Sequence, residues 1–338
     1  MSKSILVTGG AGFIAHHVIE HILENTDWTI VSLDRLDFSG NLNRLQEVVG
    51  SRKDSNRVKI VHHDLKAPLN SQIVSAIGSI NYIAHLAAGS HVDRSIDYPM
   101  EFVMDNVVGT ANILEYAKNL NHLDKFVYFS TDEVFGPAPG DIKYKENDRY
   151  NSTNPYSASK AGAEELVVAF ENTYQMPNII THTMNVFGER QHPEKFIPMC
   201  IGNVLNNKKI WIHGNKEKTK AGSRHYIHAK DVASALLFLL NNLTPSIPDE
   251  TGIKCPKYNI VGAEEIDNLS LAKFIAEVLG KELKYEIIDF HSSRPGHDLR
   301  YALDGDKMMN VGWSPSKVYD TLEQTIKWTV DNKRWLQS

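Results

Sequence analysis

The stretch Ser4-Ile5-Leu6-Val7-Thr8-Gly9-Gly10-Ala11-Gly12-Phe13-Ile14-Ala15 decides the fold. A short apolar run with the composition of a buried strand enters a glycine turn. An amphipathic pattern over Ala15–Leu23 leaves it. Gly9 and Gly12 permit the tight turn and let backbone N–H groups approach a pyrophosphate, which the helix N-terminus attracts electrostatically. Ala15 stands where a third glycine commonly sits, and it is small enough for the helix to pack closely on the strand. The next apolar run, Thr29–Asp34, ends in a carboxylate 19 residues after Ala15. An acid at that strand end hydrogen-bonds the adenine ribose hydroxyls and repels a 2′-phosphate, so NAD is expected over NADP. Arg35 follows directly and is of the type that could receive a 2′-phosphate.

Working outward, further short apolar runs occur at Val58–His63, Tyr82–Ala87, Phe126–Ser130 and Ile179–Asn185. Helical patterns such as Glu101–Asn119 and Tyr156–Tyr174 lie between them. This alternation predicts an α/β, Rossmann-type doubly wound parallel sheet, with ligands at the C-terminal strand edge. Asp64 and Leu86-Ala87-Ala88 fall at that edge. After about residue 187 the rhythm changes to fewer strands and longer polar loops. The expected division is a dinucleotide-binding domain over 1–187 and a smaller substrate-binding α/β lobe over 188–338. The segment near 226–258 is expected to pack back on the first domain.

Composition narrows the class. The 338 residues carry a net charge of −5, which argues against a protein whose affinity comes from neutralising nucleic-acid phosphates. Two isolated cysteines, Cys200 and Cys255, read as reduced thiols of a cytosolic protein. No apolar run has the length of a membrane span, and no signal peptide is read at the N-terminus. The 15 histidines include the adjacent pairs His16-His17 and His62-His63, but none has the spacing of a zinc site, so no metal is expected.

Tyr156-Ser-Ala-Ser-Lys160 opens a helix after Asn154-Pro155. Residues at i and i+4 share a helix face. Lys160 is therefore expected to lower the Tyr156 phenol from about 10 towards neutrality and make it a base for a sugar hydroxyl. Taken with Leu86-Ala-Ala-Gly-Ser-His-Val-Asp-Arg-Ser95, Ser130-Thr-Asp-Glu-Val-Phe-Gly136, His192-Pro-Glu-Lys-Phe-Ile-Pro198 and Arg294-Pro-Gly-His-Asp-Leu-Arg300, the chain resembles the extended short-chain dehydrogenase/reductases. Within them it resembles the dTDP-glucose 4,6-dehydratases over almost its whole length. Gly12-Phe-Ile-Ala15 and Lys160-Ala-Gly-Ala-Glu164 look more like the dehydratase domain of plant UDP-rhamnose synthases. Gly89 stands where the bacterial enzymes carry Glu, Phe135 replaces a Tyr, Asn185-Val-Phe-Gly188 replaces Asn-Asn-Tyr-Gly, and Lys216–Gly222 looks like a short insertion.

The resemblance implies conversion of UDP- or dTDP-glucose to the 4-keto-6-deoxy sugar, a step towards rhamnose or another deoxysugar. The base stays open between uracil and thymine, with the plant-like features tilting towards UDP. A UDP-sugar 4-epimerase or UDP-glucuronate decarboxylase is the alternative within the superfamily. By resemblance Thr131 would bond the sugar C4 oxygen, Asp132 would donate a proton, Glu133 would be a base, Tyr156 the base for oxidation and Lys160 its electrostatic partner. Tightly bound NAD would contact Gly9, Gly12, Phe13, Ile14, Asp34, Arg35, Leu36, Asp37, Asp64, Leu65, Leu86, Ala87, Ala88 and Ser90, together with Tyr156 and Lys160. The nucleotide-sugar would contact Ser90, Thr131, Asn185, Lys195, Phe196, Trp211, Ile212, His213, Arg224, Asn259, Arg294 and His297. Lys195, Arg224 and Arg294 supply the cations a diphosphate needs. A homodimer through the two long helices is expected by resemblance.

Overall fold

The computed structural model describes all residues except 1, 38, 51, 244–254, 290–298 and 338. Seven strands form one parallel sheet: β1 (Ser4–Thr8), β2 (Thr29–Asp34), β3 (Val58–His62), β4 (Tyr82–His85), β5 (Lys125–Thr131), β6 (Asn178–Thr183) and β10 (Lys257–Ile260). Their order across the sheet is β10-β6-β5-β4-β1-β2-β3, and every pairing is parallel. The chain direction across the sheet reverses between β1 and β4. Crossovers leave in opposite directions there, so a crevice opens beyond the strands' C-terminal ends. Thr8 Oγ1 meets His85 Nδ1 at 2.7 Å, and His85 Nε2 meets Thr110 Oγ1 at 3.0 Å, so the two strand ends are tied side by side.

Helices α1 (Phe13–Asn25), α2 (Leu42–Val49), α3 (Ser71–Ile77), α4 (Val92–Asp97), α5 (Pro99–Phe102) and α6 (Gly109–Ala117) fill the crossovers of the first half. Residues expected as one helix over Glu101–Asn119 are interrupted: Val103–Val108 is π-helical. Such wide turns re-aim side chains and are frequent at functional sites. Helix α7 (Pro155–Tyr174) begins as its sequence predicts. Pro155 occupies the first turn, Asn154 Oδ1 accepts from Ser157 N at 2.8 Å, and Ser157 Oγ accepts from Asn154 N at 3.3 Å.

The run Ile179–Asn185, read as one strand, divides at Met184. Strand β6 stays in the large sheet, whereas β7 (Asn185–Phe187) pairs with β9 (Ser223–His228), which also pairs with β11 (Glu265–Asp267). Strands β8 (Ile210–Gly214) and β12 (Tyr285–Asp289) form a separate parallel pair. Around them α8 (Phe196–Leu205), α10 (Asn268–Val278) and the helix Val318–Asp331 enclose a second apolar core. Between these lobes, α9 (Ala229–Asn242) packs along α1, and both share one core with β1 and β10. Among the described residues no helix is long and apolar enough to cross a membrane.

A buried charge cluster pins α7 to the sheet. Glu164, fully buried, lies 3.2 Å from His182 Nε2 on β6 and 2.7 Å from Lys257 Nζ on β10, and it also accepts from the Tyr150 hydroxyl. Removing one member of such a cluster leaves the others desolvated without a counter-charge. Glu164→Ala is expected to lower unfolding stability by about 3–5 kcal/mol in equilibrium urea denaturation. A change below about 0.5 kcal/mol, the scale of an ordinary surface substitution, would show that the cluster contributes no net stability.

Candidate active site

A cleft of ≈ 410 Å³ opens at the β1/β4 crevice, within the range of small-molecule and cofactor sites. One wall is the glycine turn. Gly9 has φ +69°, and a Cβ there would fall 2.9 Å from Ala87 Cα, so this position demands glycine on both counts. The turn is closed by Gly9 N donating to Leu33 O at 2.7 Å and Gly12 N donating to Gly9 O at 2.8 Å. Helix α1 starts at the turn with no side-chain cap and no acid in its first turn, leaving its positive end open to an anion. Asp34 is buried at the end of β2. Its Oδ2 accepts from Ala11 N at 3.0 Å and its Oδ1 from Leu36 N at 2.7 Å.

The structure brings Gly9, Gly12, Phe13, Ile14, Asp34, Arg35, Asp37, Asp64, Leu65, Leu86, Ala87, Ala88, Ser90, Tyr156, Lys160 and Lys195 to the lining of this one cleft. Leu36 stands beside it with φ +57°, its side chain packed against the first core. Sequence reasoning missed Arg44, Asp105, Thr183, Gln191 and His192, which also line it. Arg44 is buried and donates to Ala11 O and Ser39 O at 3.1 and 2.7 Å; nothing in a helical pattern marks such a residue.

The chemistry-bearing groups gather where β5 ends. Thr131 Oγ1 donates to Asp132 Oδ1 at 3.0 Å, and Asn154 Nδ2 donates to Glu133 Oε2 at 2.9 Å. The Thr131 hydroxyl also favours the ionised form of the nearby Tyr156 phenol. Lys160 Nζ donates to Phe129 O at 2.6 Å and lies 4.2 Å from the centre of the Tyr128 ring. Ser130 Oγ, Asp132 Oδ2 and Thr183 Oγ1 are buried without a hydrogen-bond partner. Ser130 and Thr183 line the cleft, and their orphaned hydroxyls fit a guest that can hydrogen-bond there, because burial without a partner is costly.

Burial pushes the Asp132 carboxyl up to about 7, aided by the neighbouring Glu133 charge and opposed by Arg224 on β9. Desolvation alone brings the Lys160 ammonium down to about 7. The expected lowering of the Tyr156 phenol is corrected by the structure. Burial, with the Glu133 charge, holds that phenol well above its ordinary value, while Lys160 is turned to a backbone carbonyl.

The expected substrate contacts divide. Arg224 stacks 4.7 Å from the Tyr301 ring centre and acts electrostatically on Asp132, so it faces the same chemistry. Asn185 is exposed at the start of β7, and Phe196 opens α8 against the second lobe's core. Trp211 and His213 reach solvent from β8, but Ile212 between them is fully buried in that core. Strand side chains alternate, so three consecutive residues cannot all face one ligand. Asn259 is likewise corrected: it is fully buried, its amide donating to Tyr144 O and Asp304 O, both at 3.0 Å. Arg294 and His297 lie outside the described residues. Among the described residues no group of three or more His, Cys, Asp or Glu side chains could hold a metal ion.

Fold and site together define a Rossmann-type dinucleotide protein with a Tyr–Lys pair and an adjacent Thr-Asp-Glu triplet. The family model for GDP-mannose 4,6 dehydratase matches residues 6–326. A dTDP-glucose 4,6-dehydratase of Escherichia coli is 36% identical, covering 98% of this chain and 95% of that protein. The crystal structure of the Bacillus anthracis dTDP-glucose 4,6-dehydratase with NAD superposes with TM-score 0.84 at 31% identity, over 99% of this chain and 98% of that one. The Streptomyces venezuelae dTDP-glucose 4,6-dehydratase, also crystallised with NAD, gives 0.84 and 31%, over 99% of both. The chain belongs to this nucleotide-sugar 4,6-dehydratase family.

The elevated Asp132 value has a thermodynamic consequence. Between the ordinary carboxyl value of 3.8 and about 7, the folded chain holds a proton that the unfolded chain has released. Stability contributed by this group therefore falls as pH rises through that window. Asp132→Asn cannot ionise, so its stability relative to the parent should improve from pH 4 to pH 8, measured by urea unfolding at both. A pH-independent difference would mean that Asp132 titrates like an exposed acid.

Proposed function

We propose that the chain is an NAD-dependent NDP-glucose 4,6-dehydratase that releases water and forms the NDP-4-keto-6-deoxyglucose. The observation that carries this reading is the Thr131-Asp132-Glu133 triplet beside Tyr156, with the Asp132 carboxyl kept protonated up to about pH 7. Oxidation alone needs the tyrosine and lysine. Elimination needs in addition one carboxyl that removes a proton and one that delivers it, and neighbouring acids push each other's affinities apart. An epimerase or decarboxylase has no use for that pair.

The residues act in order. Tyr156, with Thr131 on the same C4 oxygen, takes the hydroxyl proton once it is ionised; because its buried phenol rests neutral, this step needs Lys160 to leave the Phe129 carbonyl and bring its charge to the phenol along their shared helix face. The chemistry NAD supplies when bound is hydride acceptance from C4 and hydride return to C6. The ketone at C4 acidifies the C5 proton, which Glu133 removes and, after exchange with solvent, returns to C5 once C6 has been reduced. Asp132 protonates the departing C6 oxygen, which leaves as water. Asp34 and the open end of α1 hold the dinucleotide, and Arg224, Lys195 and Arg294 hold the diphosphate of the sugar donor. The dinucleotide belongs to 1–187 with the segment near 226–258, and the nucleotide-sugar to 188–338. The dTDP-glucose 4,6-dehydratases among its relatives turn the choice of base from uracil to thymine, making dTDP-glucose the first substrate to offer. A homodimer in the cytoplasm fits the exposed Met100, Val103 and Met104 beside α7 and the two buried, free thiols.

The test is incubation with dTDP-glucose and UDP-glucose, followed by mass spectrometry in deuterated solvent. Loss of water with deuterium at C5 is expected, and an unchanged mass with an inverted centre would overturn the reading in favour of an epimerase. In Glu133→Gln, oxidation at C4 should persist while C5 exchange and water loss fall by at least about a hundredfold, the usual contribution of a positioned acid or base.

A further inference from the structure

This inference rests on the dinucleotide reading of the cleft and concerns how the cofactor is chosen. Arg35 follows the strand-end acid, where a guanidinium is the group that accommodates a 2′-phosphate. Here that guanidinium is already engaged. Its Nη1 and Nη2 donate to Asp105 Oδ1 and Oδ2 at 2.5 and 2.8 Å, a two-point pair; its Nε donates to Asp37 Oδ2 at 2.6 Å, and the same Asp37 oxygen also pairs with Nη2. Asp64 Oδ1 lies 3.7 Å away.

Asp105 reaches across from a different part of the chain and is held in place. It belongs to the π-helical turn Val103–Val108. The next residue, Asn106, is buried and grips both sides of the Gly89 backbone, accepting from Gly89 N at 2.8 Å and donating to Gly89 O at 3.1 Å. A Cβ on Gly89 would stand 3.3 Å from Asp105 Oδ2 and 3.1 Å from the Phe102 ring, so the bare glycine leaves the carboxylate its space. The carboxylate is only 11% exposed, which limits screening by solvent and salt. Lys66 Nζ, 3.8 Å from Asp105, is shared with Asp64 at 3.6 Å. Arg44, the other cation at this end of the cleft, donates to backbone carbonyls.

We infer that Asp105 is a specificity-determining residue for the cofactor: with Asp37 holding Nε and Nη2 from one side, Asp105 takes both terminal nitrogens of Arg35 from the other, which closes this guanidinium to a 2′-phosphate, and it adds its own negative charge against one. The exclusion of NADP is then a joint property of Asp34, which faces the ribose directly, and Asp105, which acts through Arg35. A two-point charge-assisted pair must be broken before Arg35 can turn to a phosphate, and its loss translates to about ten- to a hundredfold in relative affinity.

The experiment is a competition on the purified protein. Parent and variants are equilibrated with equimolar NAD and NADP and separated from free nucleotide by gel filtration. The released cofactors are then quantified by mass spectrometry. Asp105→Asn keeps the side-chain shape and should raise the bound NADP-to-NAD ratio at least tenfold, with total occupancy retained as evidence of an intact fold. Asp105→Glu should hold the ratio near the parental value. The double variant Asp105→Asn/Arg35→Ala should lose the gain, because the freed guanidinium is what receives the phosphate. A parental NAD preference left unmoved by Asp105→Asn, or a gain that persists in the double variant, overturns the role of Asp105 alone. A parent that binds NADP as well as NAD, or neither, overturns the cofactor reading and this inference with it.

Discussion

Parallel pairing of β1 with β4 is the constraint from which the rest of the site follows. Both strands end at the same edge, and the chain leaves them towards opposite flanks of the sheet, so no crossover covers the gap. Thr8, His85 and Thr110 fix those ends by side-chain hydrogen bonds within the buried layer. Gly9 then lets the turn press against the backbone at Ala87, closer than any residue with a side chain allows. Tyr156 and Lys160 reach the same gap from α7, whose start is set by Asn154 and Pro155 and whose body is anchored through Glu164.

Low dielectric governs the chemistry of that gap. Desolvation disfavours every charged form. It raises Asp132 to about 7, lowers Lys160 to about 7 and holds the Tyr156 phenol in its neutral form. Asp132 and Lys160 thus both sit near proton exchange at neutral pH, whereas the phenol is moved further from it. A site of this kind responds sharply to any new charge, because the same dielectric that penalises an isolated ion strengthens its attraction to a partner. The phenol therefore depends for its activation on charge brought beside it rather than on its resting surroundings.

What could be read in the chain beforehand was what is periodic or punctuated. The glycine turn, Asp34, the six strands of the first half and the Asn154-Pro155 helix start carry local signals, and the fold class follows from their alternation. Contributions made by tertiary context carry none. Asp105 and Asn106 sit in an apolar helical pattern that gives no hint of a π turn, and Arg44 looks like a solvated helix residue. Resemblance alone assigns Ile212 and Asn259 to the site. Strand alternation sends Ile212 into the core, and Asn259 spends its amide on two backbone carbonyls. Strand β6 and β7 read as one run because the switch between sheets at Met184 changes pairing partner without changing composition.

The irregular turn at Val103–Val108 joins the two ends of the cleft. Asn106 bonds the Gly89 backbone on one side and Ser159 Oγ, at 2.8 Å, on the other; Ser159 lies one residue before Lys160. Asp105, adjacent to it, reaches Arg35 at the opposite end. One wide helical turn therefore bonds both to Arg35, next to the strand-end Asp34, and to α7, which carries Tyr156 and Lys160. The cost of the irregular hydrogen bonding is offset by the buried amide contacts of Asn106. Neighbouring residues of one turn thus tie Arg35 at one end of the cleft to the Gly89 backbone and to α7 at the other.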